Sequence, residues 1–165
     1  MLSLPFSMSS VLQFPWQQEA IINHSQRLLY SFQHWTGHSL LDVNGTPKEI
    51  AQALFEAPFV LVSHGIEADP IFNYGNRQAL QLWELSWSEF TKMPSRQSVR
   101  DVEREDRERL LTEAATKGFV DNYSGIRTSS SGQRFLIENV LLWNVIDEEK
   151  QYCGQAAFFS KYKFI

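Results

Sequence analysis

The chain has 165 residues, 43% of them hydrophobic and 13% aromatic, with a formal net charge of −4 and a single cysteine, Cys153. That is enough apolar material for one sizeable core and too much for a disordered chain, while the acidic balance without a long basic block argues against nucleic-acid binding, which needs clustered Lys and Arg. One cysteine cannot form an intrachain disulfide. The opening MLSLPFSMSS lacks the basic n-region of a signal peptide, and no stretch reaches the ~18 apolar residues that cross a bilayer, so a cytoplasmic protein without membrane contact is expected.

Residues 1–15, punctuated by Pro5 and Pro15, read as a flexible N-terminal arm. From Trp16 to about Trp35 the pattern is helical, with Ile21, Ser25, Leu28, Phe32 and Trp35 recurring at steps of four and three and Ile22 and Leu29 widening the band. Gly37 is expected to end that helix. Thr46-Pro47-Lys48-Glu49 is a capping box opening a second helix, which Pro58 stops, so leading helices occupy 16–56. Phe59-Val60-Leu61-Val62-Ser63 and Ile71-Phe72-Asn73-Tyr74 read as short strands on either side of a turn at 64–70. Asn76 can cap a short helix carrying Ala79, Leu80, Leu82 and Trp83, and Ser86-Trp87-Ser88-Glu89 is a second capping box.

A charged helix over 103–117 follows, with Leu110, Leu111 and Ala114 as its stripe and Gly118 at its end. The alternating signs of Asp101 to Arg109 read as a solvated face. Three strands close the chain, from Phe119 to Thr128, from Arg134 to Ile146 and from Gln151 to about Tyr162, joined by turns at Ser129-Ser130-Ser131-Gly132 and Asp147-Glu148-Glu149-Lys150. The short turns predict an antiparallel meander, and the whole order predicts an α+β domain with helices buried on one face of a five-stranded sheet.

Several motifs in this order carry a resemblance. They are His64 with Asp69-Pro70-Ile71-Phe72-Asn73-Tyr74-Gly75-Asn76, then Leu85-Ser86-Trp87 with Phe90, Pro94-Ser95-Arg96, and Tyr123-Ser124-Gly125-Ile126-Arg127. The run continues through Ser130-Ser131-Gly132 with Arg134-Phe135, Trp143-Asn144 and Gly154-Gln155-Ala156-Ala157. Together they resemble the MEKHLA domain family, a PAS-related group, over about residues 20–160. The resemblance implies a PAS-like five-stranded antiparallel sheet with helices on one face, here with an N-terminal helical extension, in one domain spanning 16–165. It also implies a non-catalytic sensory or signalling role, binding a small ligand or a protein partner. The family occurs alone in photosynthetic microbes and as the C-terminal module of plant class III homeodomain-leucine zipper factors. No DNA-binding element precedes the domain in this sequence, so no nucleic-acid role is expected.

The ligand-pocket candidates are Asn73, Asn76, Trp83, Asn139, Trp143 and Gln155. Asn76 reads first as a helix cap and Asn73 as a partner of local backbone, with amides facing the cavity as the alternative. Asn139 falls in the apolar register of Phe135, Ile137, Leu141, Trp143 and Val145, where a buried amide needs a partner such as Gln155 or a ligand; a one-residue slip would instead turn it to solvent. Trp83 and Trp143 read as core residues or as stacking surfaces for a planar ligand.

The cofactor is open. A covalent flavin adduct is disfavoured because Pro94-Ser95-Arg96 offers a serine where light-oxygen-voltage domains carry a reactive cysteine, and Cys153 lies far along the chain as a small inert residue. Haem is disfavoured because the 103–117 helix has no histidine. His34, His38 and Asp42 have ligand-like spacing, but Gly37 breaks their helix. His64 beside Glu67 and Asp69 reads as a turn residue rather than an acid–base group. The competing functions are a homodimerisation or protein-interaction module with a filled core, using the N-terminal helix, and an enzyme built on Glu138 or Asp121.

Overall fold

The caps written in the sequence set the helices. In a computed structural model, which describes residues 14–100 and 103–165, a 3-10 turn at Pro15–Gln17 leads into α1 (Glu19–Thr36), and Gly37 closes it in the left-handed conformation, φ 76°. Residues 1–13 of the expected arm, and Asp101, lie outside the described residues. Helix α2 (Pro47–Phe55) starts on the Thr46–Glu49 box, with Glu49 N donating to Thr46 Oγ1 at 3.2 Å and Thr46 N to Glu49 Oε1 at 2.8 Å. The strands β1 (Val60–His64) and β2 (Phe72–Gly75) precede α3 (Arg77–Trp83) and α4 (Trp87–Phe90), capped by Asn76 and Ser86 as the residue types require. A 3-10 turn at Ser95–Ser98 and α5 (Arg104–Lys117) lead to β3 (Phe119–Thr128), β4 (Arg134–Ile146), β5 (Tyr152–Phe159) and β6 (Lys161–Phe164).

Every strand pairing is antiparallel, in the order β2-β1-β5-β4-β3, with β6 also pairing to β4. The sheet has six strands where five were expected, because the run from Gln151 to about Tyr162 divides at Ser160. The division is local. Leu141 faces Phe158 and Glu138 faces Lys161, so one register passes through the break, which lies opposite Asn139.

Asn139 is the physical cause of that interruption and corrects the expected inner face. Its φ is 53° and its side chain is exposed. A left-handed residue in a strand inserts an irregularity that reverses the alternation beyond it. Phe135 and Ile137 before it, and Val140 and Leu142 after it, face the inner layer, whereas Leu141, Trp143 and Val145 face the outer one. The single five-member register read from the sequence is thus two half-registers on opposite faces.

The sheet carries helices on both sides. Helices α3, α4 and α5 cover the inner face, while α1, with α2 beside it, covers the outer face over Leu61, Tyr74, Trp143, Val145 and Ala156. Leu28 and Phe32 of α1 are buried there, and the Phe32 ring meets Trp143 edge-on at 5.0 Å. The apolar band of this helix is covered by the sheet and, at Ile22, by Trp16, Ala51 and Phe55. Trp35 fastens its end: Nε1 donates to Asn144 O at 2.8 Å, and the ring packs so closely on Gly118 that a Cβ there would lie 2.4 Å away.

Candidate ligand chamber

The inner face and its helices enclose a chamber whose walls follow from short, separately anchored segments. Phe72 N donates to Met93 O at 3.1 Å and Ser95 N to Pro70 O at 2.8 Å, so the Pro94-Ser95-Arg96 segment is clamped onto the start of β2. The Arg96–Asp69 ion pair, 3.0 Å, fixes the same junction from outside. Gly154 lets β5 approach β1 beside His64, since a Cβ there would lie 2.2 Å from His64 O. Aromatic rings fill most of the interior: Phe72 stacks on Phe90 at 4.3 Å, and Trp83 meets Phe135 edge-on at 5.2 Å.

What remains is a cavity of about 60 Å³, lined among others by Val62, Ile137, Val140, Leu142 and Ala157. At the ~10–15 Å³ a single water requires, it holds about four waters, far below the ~300–1,000 Å³ of drug-sized ligand sites. A flavin-sized molecule would need the ring cluster to move.

The polar groups on this cavity are His64, Trp83, Ser95, Ser98, Arg107 and Arg127. His64 Nδ1 lies 3.0 Å from Gly65 O, and a carbonyl only accepts, so Nδ1 carries the proton and Nε2 presents a lone pair. That Nε2 and the Trp83 Nε1–H are both buried without a hydrogen-bond partner in the protein. Burial holds the His64 pKa below its ordinary value, with the positive charge of Arg107 acting in the same direction. Arg107 donates through Nη2 to Ser95 Oγ and through Nη1 to Glu108 Oε1 at 2.8 Å. Burial also lowers the Arg107 pKa, against the opposing charge of Glu108 and with that of Arg127.

A family model for the MEKHLA domain matches residues 22–164. The chain belongs to the MEKHLA domain family. No curated protein matches the sequence. Among solved structures, the PAS domain of a protein from Colwellia psychrerythraea is similar at TM-score 0.56 and 16% identity, covering 72% of this chain and 95% of that one. The photo-excited blue-light photoreceptor Vivid is similar at TM-score 0.54 and 15% identity, covering 80% and 92%. The dark-state light-oxygen-voltage domain of Aureochrome1 is similar at TM-score 0.53 and 17% identity, covering 75% and 88%. At these identities the likeness is one of fold, and this MEKHLA domain has the α+β PAS architecture.

Of the six residues singled out from the sequence, only Trp83 lines the chamber of this MEKHLA domain. Asn76 is a structural hub: its Oδ1 accepts from Leu61 N at 3.1 Å and Ala79 N at 3.2 Å, and its Nδ2 donates to Phe59 O at 2.9 Å and Leu54 O at 3.4 Å. Asn73 accepts from Ser63 Oγ, which lies 2.9 Å from His24 Nε2 of α1. Because the Ser63 proton goes to Asn73, His24 donates through Nε2. Gln155 Nε2 donates to Leu111 O at 3.0 Å and to Asn144 Oδ1 at 3.2 Å, tying β5 to α5 and β4 rather than to Asn139. Asn139 is exposed, and Trp143 lies on the outer face.

Sequence reasoning did not place His64, Ser95, Ser98, Arg107 or Arg127 on the chamber. Arg107 was assigned to a solvated face and is 4% exposed. The signal was present, because Arg107, Leu110, Leu111 and Ala114 follow the i, i+3, i+4, i+7 spacing of one buried helix face. The enzymatic candidates lie elsewhere: Asp121 is exposed and Glu138 half-buried, and neither lines the chamber. Cys153 is half-buried on the outer side, packed against the cluster under α1, and burial pushes its thiol pKa up. Among the described residues no group of three His, Cys, Asp or Glu side chains is placed to hold a metal, and no helix is long and apolar enough to cross a membrane.

Proposed function

We propose that this MEKHLA domain is a non-catalytic sensor that takes a small ligand in its inner chamber and reports occupancy through the sheet to α1. One observation carries the reading: a cavity lined by His64 and Trp83, whose buried His64 Nε2 and Trp83 Nε1 atoms have no hydrogen-bond partner in the protein. Such atoms cost about 1–3 kcal/mol each when left unsatisfied, so a fold retains them where something else meets them. The two faces of β4 support a route to α1: the strand supplies the chamber wall with Val140 and Leu142 and the α1 seat with Trp143 and Val145. The response requires a ligand that binds two arrangements of these layers unequally.

The test is nitrogen-15 NMR of the domain titrated with small polar molecules. Saturable shifts of the Trp83 indole and His64 ring signals are expected, together with smaller shifts at α1. Silence of both signals across charged and neutral compounds would end the reading. The density of the Phe72, Trp83, Phe90, Phe135 and Phe159 cluster supports a second reading, a protein-interaction module with a filled core. That reading gains if the ring signals stay silent while a partner protein shifts surface residues.

A further inference from the structure

We propose that the inner chamber is a site for a small carboxylate of about four to six non-hydrogen atoms, held by the guanidinium groups of Arg107 and Arg127, with a 2-hydroxy acid preferred. The inference rests on the sensory reading and names its ligand class.

The first argument is charge. Two arginines line a cavity among whose lining residues there is no Asp or Glu. Arg107 is 4% exposed and Arg127 9%. Among the described residues Arg107 is ion-paired from outside by Glu108, whose side chain is 64% exposed, and on the inner side it meets the neutral Ser95 hydroxyl. No ion pair within 4.0 Å is formed by Arg127 among the described residues; its Nη1 donates to Ile126 O at 2.9 Å, its guanidinium lies 5.7 Å from the Tyr123 ring centre, and the nearest acid acting on it, Asp106, is held by the Tyr123 hydroxyl at 2.6 Å and does not line the cavity. Buried charges are ordinarily paired, and two of the same sign on one cavity whose lining holds no acidic group make that cavity a seat for an anion.

The second argument is shape and hydrogen-bond polarity. The guanidinium fork matches the planar carboxylate, and a cavity of about 60 Å³ admits an acid of this size but not a nucleotide or a dinucleotide. Trp83 Nε1 and the Arg107 and Arg127 groups are donors, suited to carboxylate oxygens, while His64 Nε2 is a lone pair that asks for a donor. A hydroxyl beside the carboxylate supplies one. Val62, Ile137, Val140 and Ala157 leave the remaining wall apolar, which accommodates a hydrogen or methyl substituent and no further charge.

The test compares glycolate and lactate with acetate, with the neutral isostere glycolamide, and with chloride at equal ionic strength, read by calorimetry and by the Trp83 and His64 nitrogen signals. Glycolate should bind saturably, at least about thirtyfold tighter than glycolamide, and Arg127→Met should weaken it by a similar factor. Acetate should bind more weakly than glycolate, and chloride should shift neither signal. Because Arg127→Met could perturb folding, circular dichroism and its denaturation midpoint are measured alongside; if the variant unfolds, the wild-type ranking of glycolate over glycolamide and chloride decides. Equal binding of glycolate and glycolamide, or glycolate binding undiminished in a folded Arg127→Met, overturns the inference. Neutral compounds shifting Trp83 while carboxylates do not would overturn the anion inference and leave the sensory reading standing; neither class shifting it would remove both.

Discussion

At Asn139 the backbone sits at φ 53°, a conformation that glycine adopts freely, asparagine tolerates and a β-branched residue resists. Asn139→Gly is therefore expected to hold stability within about 0.5 kcal/mol, and Asn139→Val to cost roughly 1–3 kcal/mol, both read from urea midpoints. His24 bears on pH. Its ring is half-buried against Ser63, and burial, helped by the charge of Arg27, lowers its pKa from 6.5 to about 4. The unfolded chain takes up that proton first as pH falls, so stability is full above about pH 6.5 and declines between there and pH 4, by at most about 3 kcal/mol. His24→Gln, which keeps an N–H for Ser63, is expected to flatten that part of the stability–pH curve; an unchanged slope would show that the ring is not held neutral. Asn76 illustrates what was legible at this scale. Its cap to Ala79 N is a local pattern, but its bonds to Leu54, Phe59 and Leu61 join chain segments 15 to 22 residues away and leave no trace in spacing.

Among the elements, helix starts and stops were the most legible features, because capping is local chemistry: Thr46, Asn76 and Ser86 each cap where their residue type places them. The faces of strands were less so. One left-handed residue in β4 transfers Trp143 from the chamber side to the side of α1, and alternation alone cannot see a backbone irregularity. The contact between β1 and β5 at Gly154 has a direct consequence. Gly154→Ala would press a methyl group on His64 O, so we expect a loss of several kcal/mol or a displaced His64, visible as an altered Trp83 environment in fluorescence. At the far end of α1, Trp35→Phe removes the hydrogen bond to Asn144 O while keeping most of the packing; about 1 kcal/mol of stability should go, with faster amide exchange in the last turns of that helix.

The sheet of the whole molecule is a shared wall, with a ring-filled chamber on one side and the α1 seat on the other. Element order and the meander were readable because they depend on chain-local turns, whereas the second layer of helices was not placed, since a wide apolar band says that a helix is covered but not by what. Removal of residues 1–36 would uncover Leu61, Tyr74, Trp143 and Ala156 together, and that fragment is expected to bind hydrophobic dyes and to associate more strongly than the full chain. Cys153 lies under the same layer, near enough to α1 for Arg27 to act on its thiol, and it is the sole cysteine of the sequence. The chain thus carries a built-in reporter of undocking: this sulfur is already part-covered with the helix in place, and a rise in its rate of alkylation by a maleimide above that basal rate would report lifting of the helix, with no engineered handle and no competing thiol.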